Sequence, residues 1–247
     1  MIEILSYPFM QRALIAALLT GLIAPAIGMY VVQRRLSLLG DGLGHVALAG
    51  VGLALLTGTA PIPIAVAACV AGAVVVEVLR QRGKATGDVG IAILFYGGLA
   101  AGVFLSGISG VGAGGLAQYL FGSLTTVTRD DLMLVGVLAI VILVITLGLS
   151  PQLYAVATDE DFARTQGLRV RIYHIAVVSL AAVTVALAMR TVGLLLVSAL
   201  MVVPVAAARN VVRGFTAAGR SAEPSRRRHR LHPQNRLAGL LHPIAAL

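Results

Sequence analysis

The stretch "RRLSLLGDGLGHVALAGVGLALLTG", Arg34 to Gly58, holds an aspartate and a histidine four residues apart, just where a long apolar run begins. A membrane helix starting after the histidine, at Val46, would have 12 residues before the turn "TGTAP" (Thr57 to Pro61). Twelve residues of α-helix rise about 18 Å, which does not cross a hydrocarbon core about 30 Å thick. Counting back the about 20 residues that a spanning helix needs puts the start near Leu38. Asp41 then lies in the first turn and His45 one turn deeper. Residues four apart share a helix face, so both side chains point the same way.

The whole chain fits lipid as its solvent. Of its 247 residues, 58% are hydrophobic and only 12% are charged, and the mean hydropathy is +0.94. An ordinary soluble domain carries about 25% charged residues. The 28 glycines suit helices that approach closely within a membrane. The expected fold is therefore all-α: a polytopic transmembrane helical bundle of about seven spans. They are expected at 12–32, 37–57, 61–79, 89–107, 131–149, 172–189 and 192–208. Residues 110–125, "GVGAGGLAQYLFGSLT", fit a loop with a short surface helix. The lone Cys69 falls in mid-span and rules out a disulfide within the chain. The N-terminus "MIEILSYPFMQR" lacks a basic n-region and a small-residue cleavage site, so the first apolar run is expected to remain as a helix.

The formal net charge of +9 is concentrated in the tail. From Arg209 onward there are eight arginines against Glu223, leaving +2 for the preceding 208 residues. The basicity therefore does not describe a nucleic-acid-binding body. Basic residues in short loops set orientation. With the N-terminus outside, Arg34, Arg35, Arg80, Arg82, Lys84, Arg164, Arg169 and Arg171 fall on the cytoplasmic side, against Arg12, Arg129 and Arg190 outside.

Ionisable residues inside spans are costly and tend to face a bundle interior or a water path. Asp41 and His45 offer a carboxylate oxygen and an imidazole nitrogen, which suit a divalent cation such as zinc or manganese. The alternative is an aspartate that caps the helix start and a histidine hydrogen-bonded to a neighbouring helix. Gly42 and Gly44 are expected to open space beside the pair. Glu77, one turn from the end of the third span, is expected to snorkel. His174, at the start of the sixth, is expected at the interface. Pro25 and Pro204 are expected to bend or break their helices.

The most informative loop is "VATDEDFARTQGLRVRIY", Val156 to Tyr173. Thr158 is a candidate N-cap, followed by Asp159, Glu160 and Asp161 in the first turn, where the helix dipole favours acids. Ala163 and Thr165 continue the helix and Gly167 closes it. Two to three turns of polar surface helix are expected, serving either as a docking element for a cytoplasmic partner or as an ordinary connection. No G-x-x-x-x-G-K-[ST] phosphate loop is present, nor H-E-x-x-H, nor G-x-S-x-G. The sequence thus carries none of the usual signals for ATP binding, metalloprotease or serine-hydrolase chemistry.

The run "FMQRALIAALLTGLIAPAIGMYVVQRRLSLLGDGLGHVALAGVGLALLTG", Phe9 to Gly58, closely resembles the permease subunits of the zinc/manganese/iron family of ATP-binding-cassette importers. Those typically carry R-R-L-S-L-x-G-D-A-L-S-H-A-x-L-x-G at this point. The resemblance continues through "YLFGSLTTVTRDDL" (Tyr119 to Leu132), "DEDFARTQGLRV" (Asp159 to Val170) and "RTVGLLLVSALMVVPVAAARNV" (Arg190 to Val211). It implies a transporter subunit rather than an enzyme, multi-pass in a bacterial cell membrane. It implies a homodimer, with cytoplasmic ATPase subunits and an extracytoplasmic metal-binding protein as partners. No cofactor is held permanently; the cargo is a divalent metal ion. Asp41 and His45 match the family's metal contacts. Asp159, Glu160, Asp161, Ala163 and Gly167 match its ATPase-coupling helix. Gly42 and Gly44 stand where the family usually has Ala and Ser.

The resemblance covers residues 1–212, the expected permease domain. Residues 213–247, "RGFTAAGRSAEPSRRRHRLHPQNRLAGLLHPIAAL", depart from it. Family members continue into a further hydrophobic helix; here the composition turns Arg- and Pro-rich. The change reads as a shifted frame or a truncation, or else as a basic tail on anionic lipid. Two rival functions stand beside the importer: a secondary metal/proton carrier using Asp41 and His45, and a non-transporting membrane scaffold.

Overall fold

A computed structural model describes residues 7–83, 87–123 and 128–221, those from 210 onward as backbone only. The chain divides into two compact units, Met1–Ala207 and Ala208–Leu247. The first unit is a helical bundle. Its helices are α1 (Pro8–Gln33), α2 (Leu39–Thr57), α3 (Pro61–Gln81), α4 (Gly87–Ala92), α5 (Gly98–Ile108), α6 (Gly112–Phe121), α7 (Arg129–Gly148), α8 (Ser150–Thr158), α9 (Glu160–Thr165) and α10 (Val170–Val192). The last helix, α11, is Leu194–Ser221. A π-helical turn, Ile93–Gly97, joins α4 to α5 into one rod.

Among the described residues, six helices are long and apolar enough to span a membrane: α1, α2, α3, the α4–α5 rod from Asp88 to Ile108, α7 and α10. The seventh expected span is a shorter apolar helix, Leu194–Arg209. Local chemistry sets the boundaries. α1 and α3 begin on Pro8 and Pro61, where a missing N–H costs nothing. α7 begins with a capping box: Thr128 Oγ1 accepts from the Asp131 amide at 3.1 Å, and Asp131 Oδ2 accepts from the Thr128 amide at 3.0 Å. The expected surface helix within 110–125 is α6.

Pro25 and Pro204 do not break their helices: α1 and α11 run without interruption through them. A proline removes one N–H from the ladder, and membrane helices tolerate this where neighbouring helices or local backbone adjustment re-satisfy the freed carbonyl.

α2 and α10 form the interior, with most of their spanning residues buried, whereas α7 turns Met133, Val137, Ile140, Val144 and Leu147 outward. That stripe recurs every three or four residues, as a lipid-facing side should. α2 packs most extensively on α5 and α3. The α5 face is small, with Gly98, Gly102 and Ser106 at intervals of four. A Cβ on Gly98 would stand 2.6 Å from the His45 carbonyl carbon and 2.6 Å from the Val46 nitrogen. The absence of a side chain at Gly98 is thus what lets α5 lie against the backbone of His45.

Candidate functional site

Asp41 and His45 both sit in α2, Asp41 in its first turn, as the span length required. Both are half-buried. The His45 ring meets the edge of Phe95 with centroids 4.2 Å apart. Phe95 belongs to the π-helical turn, a distortion that is frequent at functional sites. His45 Nδ1 is buried and has no hydrogen-bond partner among the described residues. Asp41 lines a cavity of about 260 Å³ together with Asp88, Phe95 and Tyr96. Among the described residues no group of three or more His, Cys, Asp or Glu is placed to hold a metal ion. The pair therefore offers two donors, a number suited to passing contact rather than to a closed structural site.

Gly42 and Gly44 do not open space beside the pair. A Cβ at Gly42 would lie 3.2 Å from Leu94 Cβ and 3.3 Å from the Ile91 carbonyl oxygen, and one at Gly44 would overlap the Leu194 side chain. Neighbouring helices fill the room that these glycines leave.

α9 is shorter than expected, six residues rather than two to three turns, and its N-cap is Asp159 rather than Thr158. Thr158 is instead the last residue of α8. Asp159 adopts the extended backbone an N-cap requires, and its Oδ1 accepts from the amides of Asp161 at 3.1 Å and Phe162 at 3.0 Å. At the other end Gly167 turns left-handed at φ 79°. Ala163 is the anchor, wholly buried against Val156 and Val170. Asp161 and Phe162 face outward, Phe162 being 55% exposed. Arg164 reaches back to Asp161 at 2.9 Å and Glu160 at 3.3 Å.

Glu77 does not snorkel. It is 3% exposed and lies at the centre of an ionic cluster. Its Oε1 accepts from Arg34 Nη2 at 3.1 Å, Arg80 Nη2 at 2.9 Å and Gln81 Nε2 at 3.0 Å, and its Oε2 accepts from Arg80 Nε at 3.0 Å. His174, expected at the interface, is buried as well. Its Nδ1 is 3.5 Å from Glu77 Oε1, and its Nε2 is 3.1 Å from Glu160 Oε1, off the line a hydrogen bond needs. Burial pulls the Arg34 guanidinium below its ordinary pKa, and Glu77 beside it opposes that shift. Sequence reasoning treated these residues singly. A visible signal was that Arg34, Glu77, Arg80 and His174 all fall within a turn or two of helix ends that an antiparallel bundle brings to one side.

The chain has relatives among known proteins. It is 34% identical to the manganese transport system membrane protein MntC of Halalkalibacterium halodurans, over 83% of this chain and 70% of that one. It is 31% identical to the chelated iron transport system membrane protein YfeD of Yersinia pestis, over 86% of this chain and 71% of that one. Among solved structures it is similar to PsaBC from Streptococcus pneumoniae in complex with Fab, with a TM-score of 0.72 and 28% identity over 82% of this chain and 73% of that one. Residues 6–221 match the model of the ABC 3 transport family. The family match and the named relatives agree on a membrane transport component, and the chain belongs to the ABC 3 transport family.

Proposed function

We propose that this chain is the permease subunit of an ATP-driven importer for a divalent metal ion: manganese, iron or zinc. Residues 1–212 are the permease domain; the family match, residues 6–221, covers nearly all of this stretch and runs nine residues past it. The observation that carries the reading is the pair on α2. A buried imidazole nitrogen without a partner, one turn beyond a half-buried carboxylate, is a costly arrangement for a membrane helix unless something cationic visits it. Asp41 and His45 each give one donor to the passing ion, and water fills its remaining positions. Two protein donors hold an ion firmly enough to desolvate it in part and weakly enough to release it.

The importer works with a cytoplasmic ATPase, a second copy of this chain and an extracytoplasmic binding protein. α9 is the surface on which the ATPase seats. It is short, capped at both ends and anchored by Ala163, with Asp161 and Phe162 turned outward. The orientation with the N-terminus outside the bacterial cell membrane is supported by the arginines around α9 and the helix ends beside it. Co-expression with an ATPase of this importer class tests the assignment: the two are expected to co-purify, and Asp41→Asn with His45→Ala is expected to stop metal accumulation. A scaffold would leave accumulation unchanged.

A further inference from the structure

We propose that Glu77, acting through His174, is a positioning residue that fixes the place of α9 against α1 and α3, and so couples ATPase docking to the membrane helices. This rests on α9 being the ATPase seat.

The geometry is a relay of adjacent groups. Glu160 lies on α9, and its Oε1 is 3.1 Å from His174 Nε2. The other ring nitrogen of His174 is 3.5 Å from Glu77 Oε1. Glu77 in turn holds Arg34, at the end of α1, and Arg80 and Gln81, at the end of α3. Gln81 closes the circuit back to α10, accepting from Arg171 Nε at 2.6 Å. One imidazole thus stands between the carboxylate of the exposed helix and the carboxylate that gathers two membrane helices. Ala163 gives α9 an apolar pivot, but a single methyl group fixes a contact and not an orientation. The nearest approach of α9 to the ionic cluster is Glu160, whose Oε1 lies beside the His174 ring.

A buried ion pair taken whole often contributes little net stability once desolvation is counted, although removing one partner leaves a costly unpaired charge. What it supplies is a defined arrangement: Arg34 and Arg80 carry like charges, and the Glu77 carboxylate keeps both in place. A displacement of α9 shifts Glu160 and His174, and the charge balance at Glu77 then favours moving the ends of α1 and α3 with them. Both helices contact α10, and α3 packs on α2, which carries Asp41 and His45.

The test uses the complete permease–ATPase complex in proteoliposomes, reading ATP hydrolysed and manganese taken up in the same sample. Glu77→Gln is expected to keep hydrolysis while manganese moved per ATP falls roughly tenfold, within the range of site-to-site couplings. Glu77→Asp, which keeps the charge, is expected to recover much of the loss. A nitroxide on Gln166→Cys gives an independent readout, because the one native cysteine, Cys69, is buried. The label is expected to become more mobile in Glu77→Gln. If Glu77→Gln fails to assemble, His174→Gln carries the same expectations without leaving an unpaired buried charge. An unchanged ratio of uptake to hydrolysis, with unchanged label mobility, overturns the inference while leaving the importer assignment intact. A wild-type chain that recruits no ATPase overturns both.

Discussion

Gly98→Ala perturbs the contact that sets α2, the helix of Asp41 and His45, against its neighbour α5. The added Cβ would lie 2.6 Å from two backbone atoms of α2, the His45 carbonyl carbon and the Val46 nitrogen, and 2.9 Å from the His45 carbonyl oxygen. No rotamer change relieves a clash with backbone. To bring 2.6 Å up to ordinary contact, which starts near 3.4 Å, α2 and α5 must part by about 0.8 Å. Overpacking of this kind costs about 1–3 kcal/mol, and here it falls on the most extensively packed helix pair of the bundle. It also moves the backbone of His45 itself. Gly97→Ala is the control, since a Cβ there meets nothing within 4 Å. Thermal unfolding in detergent and metal uptake in proteoliposomes are the assays. Gly98→Ala is expected to melt below wild type and to transport poorly; Gly97→Ala is expected to match wild type in both. Equal behaviour of the two variants would refute the claim that α5 reads the backbone of the α2 site.

Three other substitutions probe the caps and turns. Asp159→Ala removes the cap of α9, worth about 0.5–2 kcal/mol; hydrogen exchange at the Asp161 and Phe162 amides is expected to quicken, and ATPase co-purification to weaken. Gly167→Ala forces a side chain into the left-handed region at a cost of about 1–2 kcal/mol, and is expected to lower ATP-driven uptake without reducing the amount of folded permease. Asp131→Ala loses both the capping box of α7 and the 2.8 Å ion pair to Arg190. It is expected to lower the melting temperature in detergent by more than Asp130→Ala does, since Asp130 closes no capping box.

The spans were legible because hydrophobic length is a strong signal: about 20 apolar residues have few other uses. The same arithmetic put Asp41 and His45 inside α2. Caps were legible to within a residue. Asp159 and Thr158 are both good N-caps, and only the backbone, extended at Asp159, decides between them. The buried cluster was not legible. Whether Glu77 snorkels or is gathered inward depends on Arg34 and His174, which approach it from helices 43 and 97 residues away in sequence. The role of Gly42 and Gly44 was likewise a matter of what packs opposite, Leu94 and Leu194. Of the expected tail, residues 213–247, the stretch 213–221 is helical backbone at the end of α11; residues 222–247 lie outside the described residues.

Metal uptake by the reconstituted permease–ATPase complex, with and without ATP in the compartment that α9 faces, tests the central claim most directly. The account predicts uptake that requires ATP and is lost in Asp41→Asn and His45→Ala while the ATPase stays bound. Uptake that persists without ATP and follows a proton gradient would contradict it and identify a secondary carrier.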